Sequence, residues 1–466
     1  MRRTKIVATI GPACSTMESL LALVEAGMDA ARLNFSHGDH AEHVARAELV
    51  REVQAKVGRP LALIADLQGP KIRVGELDAP RVLVNGDEIV IVPEEQARNG
   101  ELPVAPAIIS ELLRPGNDVL IDDGRVRLRV QHVEGARATC TVIAGGTVSS
   151  NKGVNLPGVP LPIPSLTKKD LADLKLALEL EVDFVALSFV RAANDVLELR
   201  KIIDEAGSSA GIIAKIEMPE AIDALAEVLD ATDAVMVARG DLGVEAGPAA
   251  VPLLQKRIIK ESLERGKPVI TATQMLESMI SSPEPTRAEA SDVANAVLDG
   301  TSAIMLSGET AVGKYPIEAV RTMDTICRAV EPSLGYRHQT PQAEDKPTIG
   351  QAMSNAACDI AEALGATAML VPTFSGRTAS AVARLLPRRP IIGLSHHQYA
   401  LQQMALEWGI TPLPIEQCPD IEELWERSIH AARESGIIKT GDRVVITAGT
   451  AVNIPGSTNV IKVEIV

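Results

Sequence analysis

The sequence predicts an α/β protein: a (β/α)8 TIM barrel carrying an inserted small β-barrel domain, followed by a C-terminal α/β domain. Three observations predict it. Short β-branched runs alternate with helical patterns and nearly all end in polar groups. One gap between runs is far too long for a β/α unit and has a different period. After Glu331-Pro332 the pattern breaks through a polar stretch and a second alternation of strands and helices begins.

The barrel runs lie at 5–10, 30–35, 61–66, 184–189, 212–216, 234–238, 268–272 and 302–306. They end in Arg32 to His37, Asp66, Ser188, Lys215 with Glu217, Arg239-Gly240-Asp241, Thr271 to Gln274, and Ser307-Gly308-Glu309. Polar ends that merely face solvent explain one or two such endings. Chemistry gathered at the C-terminal rim of a barrel explains them together. Between runs, Ser15 with Glu18 and Thr167 with Asp170 have the capping-box spacing and open helices over 19–25 and 171–180.

The third and fourth runs are separated by residues 67–183, so an insertion sits there. Inside it Val82-Leu83-Val84, 88–92, 118–121 and 125–130 alternate with period two between Asn-Gly, Pro-Gly and Asp-Asp-Gly turns, the pattern of an antiparallel β domain. The return path, 156–164, is proline-rich and reads as a semi-rigid hinge. A linker is expected over 337–347. Beyond it strands are expected at 368–372, 390–394, 443–448 and 459–466, with helices around 350–364, 376–386, 398–408 and 420–436. The expected domains are therefore 1–66 with 164–337 for the barrel, 67–163 for the inserted lid, and 338–466 for a regulatory unit.

A net charge of −15 argues against nucleic acid or an anionic membrane as partner, and an aromatic content of 2 % means that the cores must be aliphatic. The five cysteines, Cys14, Cys140, Cys327, Cys358 and Cys418, lack paired metal or redox spacing, which suits a reducing cytoplasm. No apolar stretch is long enough to cross a bilayer, and Met1-Arg2-Arg3 leads into a strand without a cleavage signature.

Against this acidic background Arg32, Lys71, Arg73, Lys152 and Lys215 gather at the expected barrel mouth or its junctions with the insert, a cluster suited to a polyphosphate. Lys215 and Glu217, two apart on a strand, share a face, where an ion pair, a metal or a phosphate must satisfy them. Glu217 and Asp241 end neighbouring strands and offer hard oxygens to Mg2+ or Mn2+. Cations, a divalent metal and a closable lid are the requirements of phosphoryl transfer. The stretch Gly308 to Lys314 imitates a phosphate-binding P-loop for seven positions, but Tyr315 stands where a Ser or Thr is needed, and Tyr315-Pro316 reads as a helix start.

The stretches 32–38 (Arg-Leu-Asn-Phe-Ser-His-Gly), 66–73 (Asp-Leu-Gln-Gly-Pro-Lys-Ile-Arg), 151–158, 215–217, 236–245, 272–279, 285–289 and 292–297 closely resemble pyruvate kinase, and the resemblance runs through essentially the whole chain. It implies that phosphoenolpyruvate and ADP give pyruvate and ATP, the last step of glycolysis. It implies that Arg32 and Lys215 hold the transferring phosphoryl group, that Glu217 and Asp241 bind Mg2+, and that Gly240, Asp241 and Thr273 seat the substrate carboxylate. Thr273 is also a candidate to help protonate the enolpyruvate carbon through water. Asn34, Ser36, His37, Arg73 and Lys152 would handle the nucleotide, its phosphates and a second metal. The loop Thr373-Phe374-Ser375-Gly376-Arg377-Thr378 would take a phosphorylated allosteric effector, with an ordinary helix cap as the alternative. A homotetramer is the assembly the resemblance suggests.

One departure stands out. The better-known members of the family hold K+ beside the phosphoryl site and carry a glutamate at the position of Lys71. Here Asn34, Ser36 and Asp66 match three potassium ligands, but Leu67 replaces a threonine and Gln68 a lysine. The Lys71 ammonium is expected to substitute for the ion, so that K+ is not required. Two other classes are weighed. A Schiff-base aldolase using Lys215 would need a lowered lysine pKa, which Glu217 opposes, and a silent phosphate sensor would have lost barrel groups that are all present.

Overall fold

The computed structural model describes residues 2–335, 347–450 and 458–466. Three strands, β1 (Lys5–Thr9), β2 (Ala30–Asn34) and β3 (Ala62–Asp66), precede the insert. The insert contains β4 (Ile72–Val74), β5 (Arg81–Leu83), β6 (Glu88–Pro93), β7 (Leu102–Ala105), β8 (Asp118–Ile121), β9 (Val126–Glu134), β10 (Arg137–Ala144), β11 (Gly146–Val148) and β12 (Gly153–Asn155). Five more strands, β13 (Phe184–Leu187), β14 (Gly211–Ile216), β15 (Ala234–Ala238), β16 (Val269–Ala272) and β17 (Ala303–Leu306), complete a closed parallel barrel of eight with β1, β2 and β3.

These strands are buried on both faces, which is why they are Val, Ile, Leu and Ala runs without polar alternation. Ile6, Ala8, Leu33, Leu63 and Ile212 pack outward against the helices. Val7, Ala30, Ala62, Ile64, Ala186 and Ile213 point inward, and the many alanines among the inward residues suit a narrow interior. Ala405 and Leu406 of the C-terminal domain join that interior cluster and close the barrel floor.

The helix over Lys168–Glu179 begins with the expected box, Thr167 Oγ1 accepting from the Asp170 backbone and Asp170 accepting in return from the Thr167 N–H. The Ser15 and Glu18 expectation is one residue out. Thr16 is the cap and pairs with Ser19, because Thr16 is the residue in extended backbone at φ −119° while Ser15 belongs to the preceding turn. The helix Pro316–Val330 starts directly after Tyr315, as the failed P-loop pattern requires.

The insert is a seven-stranded closed barrel, ordered β10-β6-β7-β4-β12-β8-β9, beside a two-stranded β11-β5 sheet. It is antiparallel except for β6 against β7, which run parallel. The expectation of a wholly antiparallel domain is corrected there. The strands beyond those expected from the sequence are β4, β7, β10, β11 and β12. Three of them have only three residues, too few for a period, and β7 contains Pro103.

In the C-terminal domain β18 (Ala368–Pro372), β19 (Ile391–Ser395), β20 (Ile410–Pro414), β21 (Arg443–Gly449) and β22 (Thr458–Ile465) form one sheet ordered β20-β19-β18-β21-β22. The unexpected strand is β20, whose Pro412 and Pro414 are tolerated because it lies at the sheet edge. The expected linker, 337–347, falls outside the described residues except for Pro347.

Candidate active site

Residues two apart face the same way in a strand, and this period makes the rim. The inward series Val7–Thr9, Ala30–Arg32, Ile64–Asp66, Ala186–Ser188 and Ile213–Lys215–Glu217 each pass from apolar to polar at the C-terminal end. Register then sets the neighbours: Thr9 lies opposite Arg32, and Asp66 opposite both Asn34 and Ala186.

Asp66, whose side chain is 1 % exposed, is the hub. Its Oδ2 accepts from Arg32 Nε at 2.7 Å and its Oδ1 lies 3.1 Å from Lys215 Nζ. Arg32 Nη1 also donates to Thr9 Oγ1 at 2.9 Å. Lys215 Nζ reaches Glu217 Oε1 at 3.0 Å and Ser188 Oγ at 2.6 Å. Burial alone would raise the Asp66 carboxyl, but Lys215 and Arg32 outweigh it and hold the group below the usual carboxylate range. Burial likewise pulls Lys215 down, yet Asp66 and Glu217 hold it above an ordinary lysine. The ammonium is therefore fixed as a cation, the opposite of what a Schiff-base nucleophile needs.

Burial pushes Glu217 up, and the nearby Asp241 carboxylate adds to this against the pull of Lys215. Two carboxylates that repel each other across the same space as a fixed ammonium suit a hard divalent cation with positions left for substrate oxygens. Among the described residues no cluster of three or more His, Cys, Asp and Glu could hold a metal by itself. Glu217 Oε2 is oriented by the Phe189 N–H at 2.7 Å, from a residue at φ 55°.

Thr273 and Gln274, just past β16, have φ of 66° and 53°, a costly backbone for a β-branched threonine. Arg239 sustains it, its Nη2 donating to the Thr273 carbonyl at 2.7 Å while Asp292 holds the guanidinium at 2.7 Å. The Thr273 hydroxyl accepts from the Gly240 N–H at 2.8 Å and donates to the Ala272 carbonyl at 2.7 Å. Gly240 has no backbone need to be glycine: an added Cβ would meet Thr273 Oγ1 at an ordinary 3.5 Å.

Lys71 Nζ lies 3.4 Å from Asp241 Oδ1, with its side chain 26 % exposed. His37 is held below its ordinary value by burial and then by the charges of Arg73, Arg32, Lys71 and Lys169. Asn34 Oδ1 accepts from the Ser36 N–H at 3.2 Å. Arg73 and Lys152 are turned toward the insert itself: Arg73 Nη1 donates to the Asn151 carbonyl at 2.9 Å and Lys152 pairs with Asp122 at 2.7 Å. Beyond the expected catalytic residues, the rim also gathers Asp66, Ser188 and Arg239. The parity of the inward series was the signal for Asp66 and Ser188, whereas Arg239 acts through the loop of another strand.

At the C-terminal loop Gly376 N donates to Thr373 Oγ1 at 3.1 Å, Arg377 Nε to Ser375 Oγ at 3.3 Å, and Thr378 Oγ1 shares a bond with Thr458 Oγ1 at 2.8 Å. The helix that follows, Arg377–Ala383, has only seven residues. These groups satisfy one another, as a cap does, and leave the Arg377 head exposed.

Residues 1–320 match the family model described as pyruvate kinase, barrel domain, and 351–464 that described as pyruvate kinase, alpha/beta domain. The chain is 46 % identical to the pyruvate kinase of Corynebacterium glutamicum, covering 100 % of this chain and 98 % of that protein. It is 42 % identical to that of Clostridium acetobutylicum, with 100 % of both covered. It is 44 % identical to that of Geobacillus stearothermophilus, with 100 % of this chain and 80 % of that protein covered. With family models over both its barrel and its C-terminal unit and full-length relatives at this identity, the chain belongs to the pyruvate kinase family.

Proposed function

We propose that this chain transfers the phosphoryl group of phosphoenolpyruvate to ADP through Arg32 and Lys215, with Glu217 and Asp241 binding Mg2+ or Mn2+. The observation that carries the assignment is the buried ladder Arg32, Asp66, Lys215, Glu217: two cations held rigid by one hub carboxylate, aimed at one space. Glu217 and Asp241 would hold the divalent metal, which when bound would supply neutralisation of the phosphoryl charge. Arg32 and Lys215 stabilise the negative charge on the group as the bond to the enol oxygen breaks and a β-phosphate oxygen of ADP bonds to phosphorus. Asp66 keeps both in place. Gly240, Asp241 and Thr273 seat the substrate carboxylate, which takes over the bond that the Gly240 N–H and the Thr273 hydroxyl make to each other. The enolate left behind takes a proton on carbon, for which Thr273 with a water is the candidate donor.

Asn34, Ser36, His37, Arg73 and Lys152 would serve the nucleotide. For Arg73 and Lys152 this requires the insert to move, since both now bond within it. The Lys71 contact with Asp241 supports the reading that this ammonium replaces K+. The loop 373–378, with Thr373, Ser375, Gly376, Arg377 and Thr378, is the proposed effector site, and the division into 1–66 with 164–337, 67–163 and 338–466 is retained. A homotetramer and a cytoplasmic setting complete the reading. Exposed Leu253 and Ile465 are surface that subunits would cover, and the five cysteines are all buried, with none in a disulfide. Among the described residues no helix is long and apolar enough to cross a membrane.

A coupled assay for pyruvate from phosphoenolpyruvate and ADP tests the proposal. Pyruvate formed only when Mg2+ or Mn2+ is present supports it, and trapping of a substrate on Lys215 by borohydride without metal would replace it with the aldolase reading.

A further inference from the structure

A cavity of about 270 Å³ lies between the barrel floor and the C-terminal domain, at the end of the molecule opposite the rim. Arg265 and Lys267 line it from the barrel, and Arg377, Ser380, Arg384 and Glu407 from the C-terminal domain. Arg384 is the unusual member. It is 8 % exposed, its Nη1 donates to the Glu264 carbonyl at 3.2 Å, and its Nε has no hydrogen-bond partner. No carboxylate pairs with it among the described residues. A buried guanidinium with an open donor is costly unless something negative completes it.

The other cations are not spent either. Lys267 Nζ donates to the Thr232 carbonyl at 2.7 Å, and Arg377 Nε to Ser375 Oγ at 3.3 Å, neither to a carboxylate. Arg265 is the exception, paired with Asp230 at 3.1 Å. Of the two carboxyls lining the space, Asp233 is paired with Arg200, and Glu407 accepts from Ser380 Oγ at 2.6 Å. Burial pushes Glu407 up to about 7, so near neutral pH it carries only part of its negative charge. The balance is a concave, partly buried surplus of positive charge. Its volume falls just under the range of about 300–1,000 Å³ that holds drug-sized molecules, which favours a compact anion.

We propose that this cavity binds a phosphate-class anion gripped from the C-terminal domain by Arg384 and Arg377 and from the barrel floor by Lys267. The ligand then ties the two domains together. The inference deepens the effector reading, with which it shares Arg377 and Ser375, by making the barrel the other half of the site and Arg384 its anchor.

Trp408 lines an adjoining hollow with Arg384, Lys267 and Glu407, and Trp425 is the only other tryptophan in the sequence. Its fluorescence in a Trp425→Phe background therefore reads this end of the molecule and not the rim. Inorganic phosphate and glycerol 3-phosphate are titrated separately at constant ionic strength. A saturable change with either probe is expected, the pair of titrations telling free phosphate from a phosphomonoester. The midpoint should rise by about tenfold or more in Lys267→Ala and in Arg384→Gln, the loss expected for one charge-assisted contact. Lys267→Ala, a half-buried side chain, tests the point if Arg384→Gln proves unfolded. If these two variants and Arg377→Ala all weaken binding, the inference stands; if Arg377→Ala alone leaves it unchanged, the grip as proposed is overturned and the effector reading loses Arg377. If only Arg377→Ala weakens it, the anion sits on the loop alone, and the inference falls while the effector reading survives. Absence of a saturable change with both probes also overturns it.

Discussion

Asp66 holds the site together, because one buried carboxylate fixes both cations proposed to meet the phosphoryl group. Lys215→Met should lower turnover on the order of 100-fold or more, the cost of one preorganised charge at a developing transition state. It should also lower the melting temperature, since Asp66 and Glu217 lose their shared counter-ion. Turnover is therefore measured at a temperature where circular dichroism shows the variant folded. Gly240→Ala separates substrate from backbone: its Cβ meets only ordinary contacts, so stability should hold while KM for phosphoenolpyruvate rises. An unchanged KM would remove Gly240 from the carboxylate site. Glu407 makes a pH prediction. Its folded value of about 7 lies above the ordinary 4.5 because burial outweighs the pull of Ser380, Lys5 and Lys267. A carboxyl raised on folding favours the folded state most below its unfolded value, and that contribution is lost as pH climbs from about 4.5 through about 7. Glu407→Gln should therefore melt higher than wild type at pH 8 and close to it at pH 5, as scanning calorimetry would show. The same difference at both pH values would mean that Glu407 is not the titrating group.

At the scale of elements, the rim is where strands stop being apolar and loops begin to carry strain. Arg239, reaching from the end of β15 to the carbonyl of Thr273 beyond β16, holds two positive-φ residues in place. Arg239→Lys loses the fork that spans several carbonyls. It should raise KM for phosphoenolpyruvate and lower kcat while leaving the KM for ADP near wild type, which steady-state kinetics would separate. The barrel strands were legible because burial on both faces writes continuous Val, Ile and Ala runs. Short insert strands such as β4 and β12 were not, because three residues carry no period, and β20 was hidden by the prolines that an edge strand permits. Residue identity at the rim was legible for Lys215, Glu217 and Asp241 from spacing and resemblance. The contact of Arg239 with a neighbouring strand's loop was not, since nothing local in sequence pairs 239 with 273.

At the scale of the molecule, three pieces meet around two polar regions, the rim, where Asn155 of the insert bonds Glu245, and the floor, closed by the C-terminal domain. The inward packing of Ala405 and Leu406 makes the second junction part of the barrel core. The rim also contains the departure at Lys71, whose ammonium sits 3.4 Å from Asp241. The wild-type protein should reach full activity with Mg2+ in buffers free of K+, Na+ and ammonium, and Lys71→Glu, most clearly with Leu67→Thr, should acquire K+ dependence. Strong stimulation of the wild type by K+ at constant ionic strength would show that Lys71 does not stand in for the ion. The central claim is direct phosphoryl transfer on the Arg32, Asp66, Lys215, Glu217 ladder, and the fate of the phosphorus tests it most directly. Phosphoenolpyruvate labelled at phosphorus is incubated with ADP and Mg2+, and pyruvate and labelled ATP are counted together. The account predicts equal amounts of the two, both abolished without Mg2+ and both reduced in step by Lys215→Met. Label appearing as inorganic phosphate while pyruvate is released, or an undiminished yield of ATP from Lys215→Met, would contradict it.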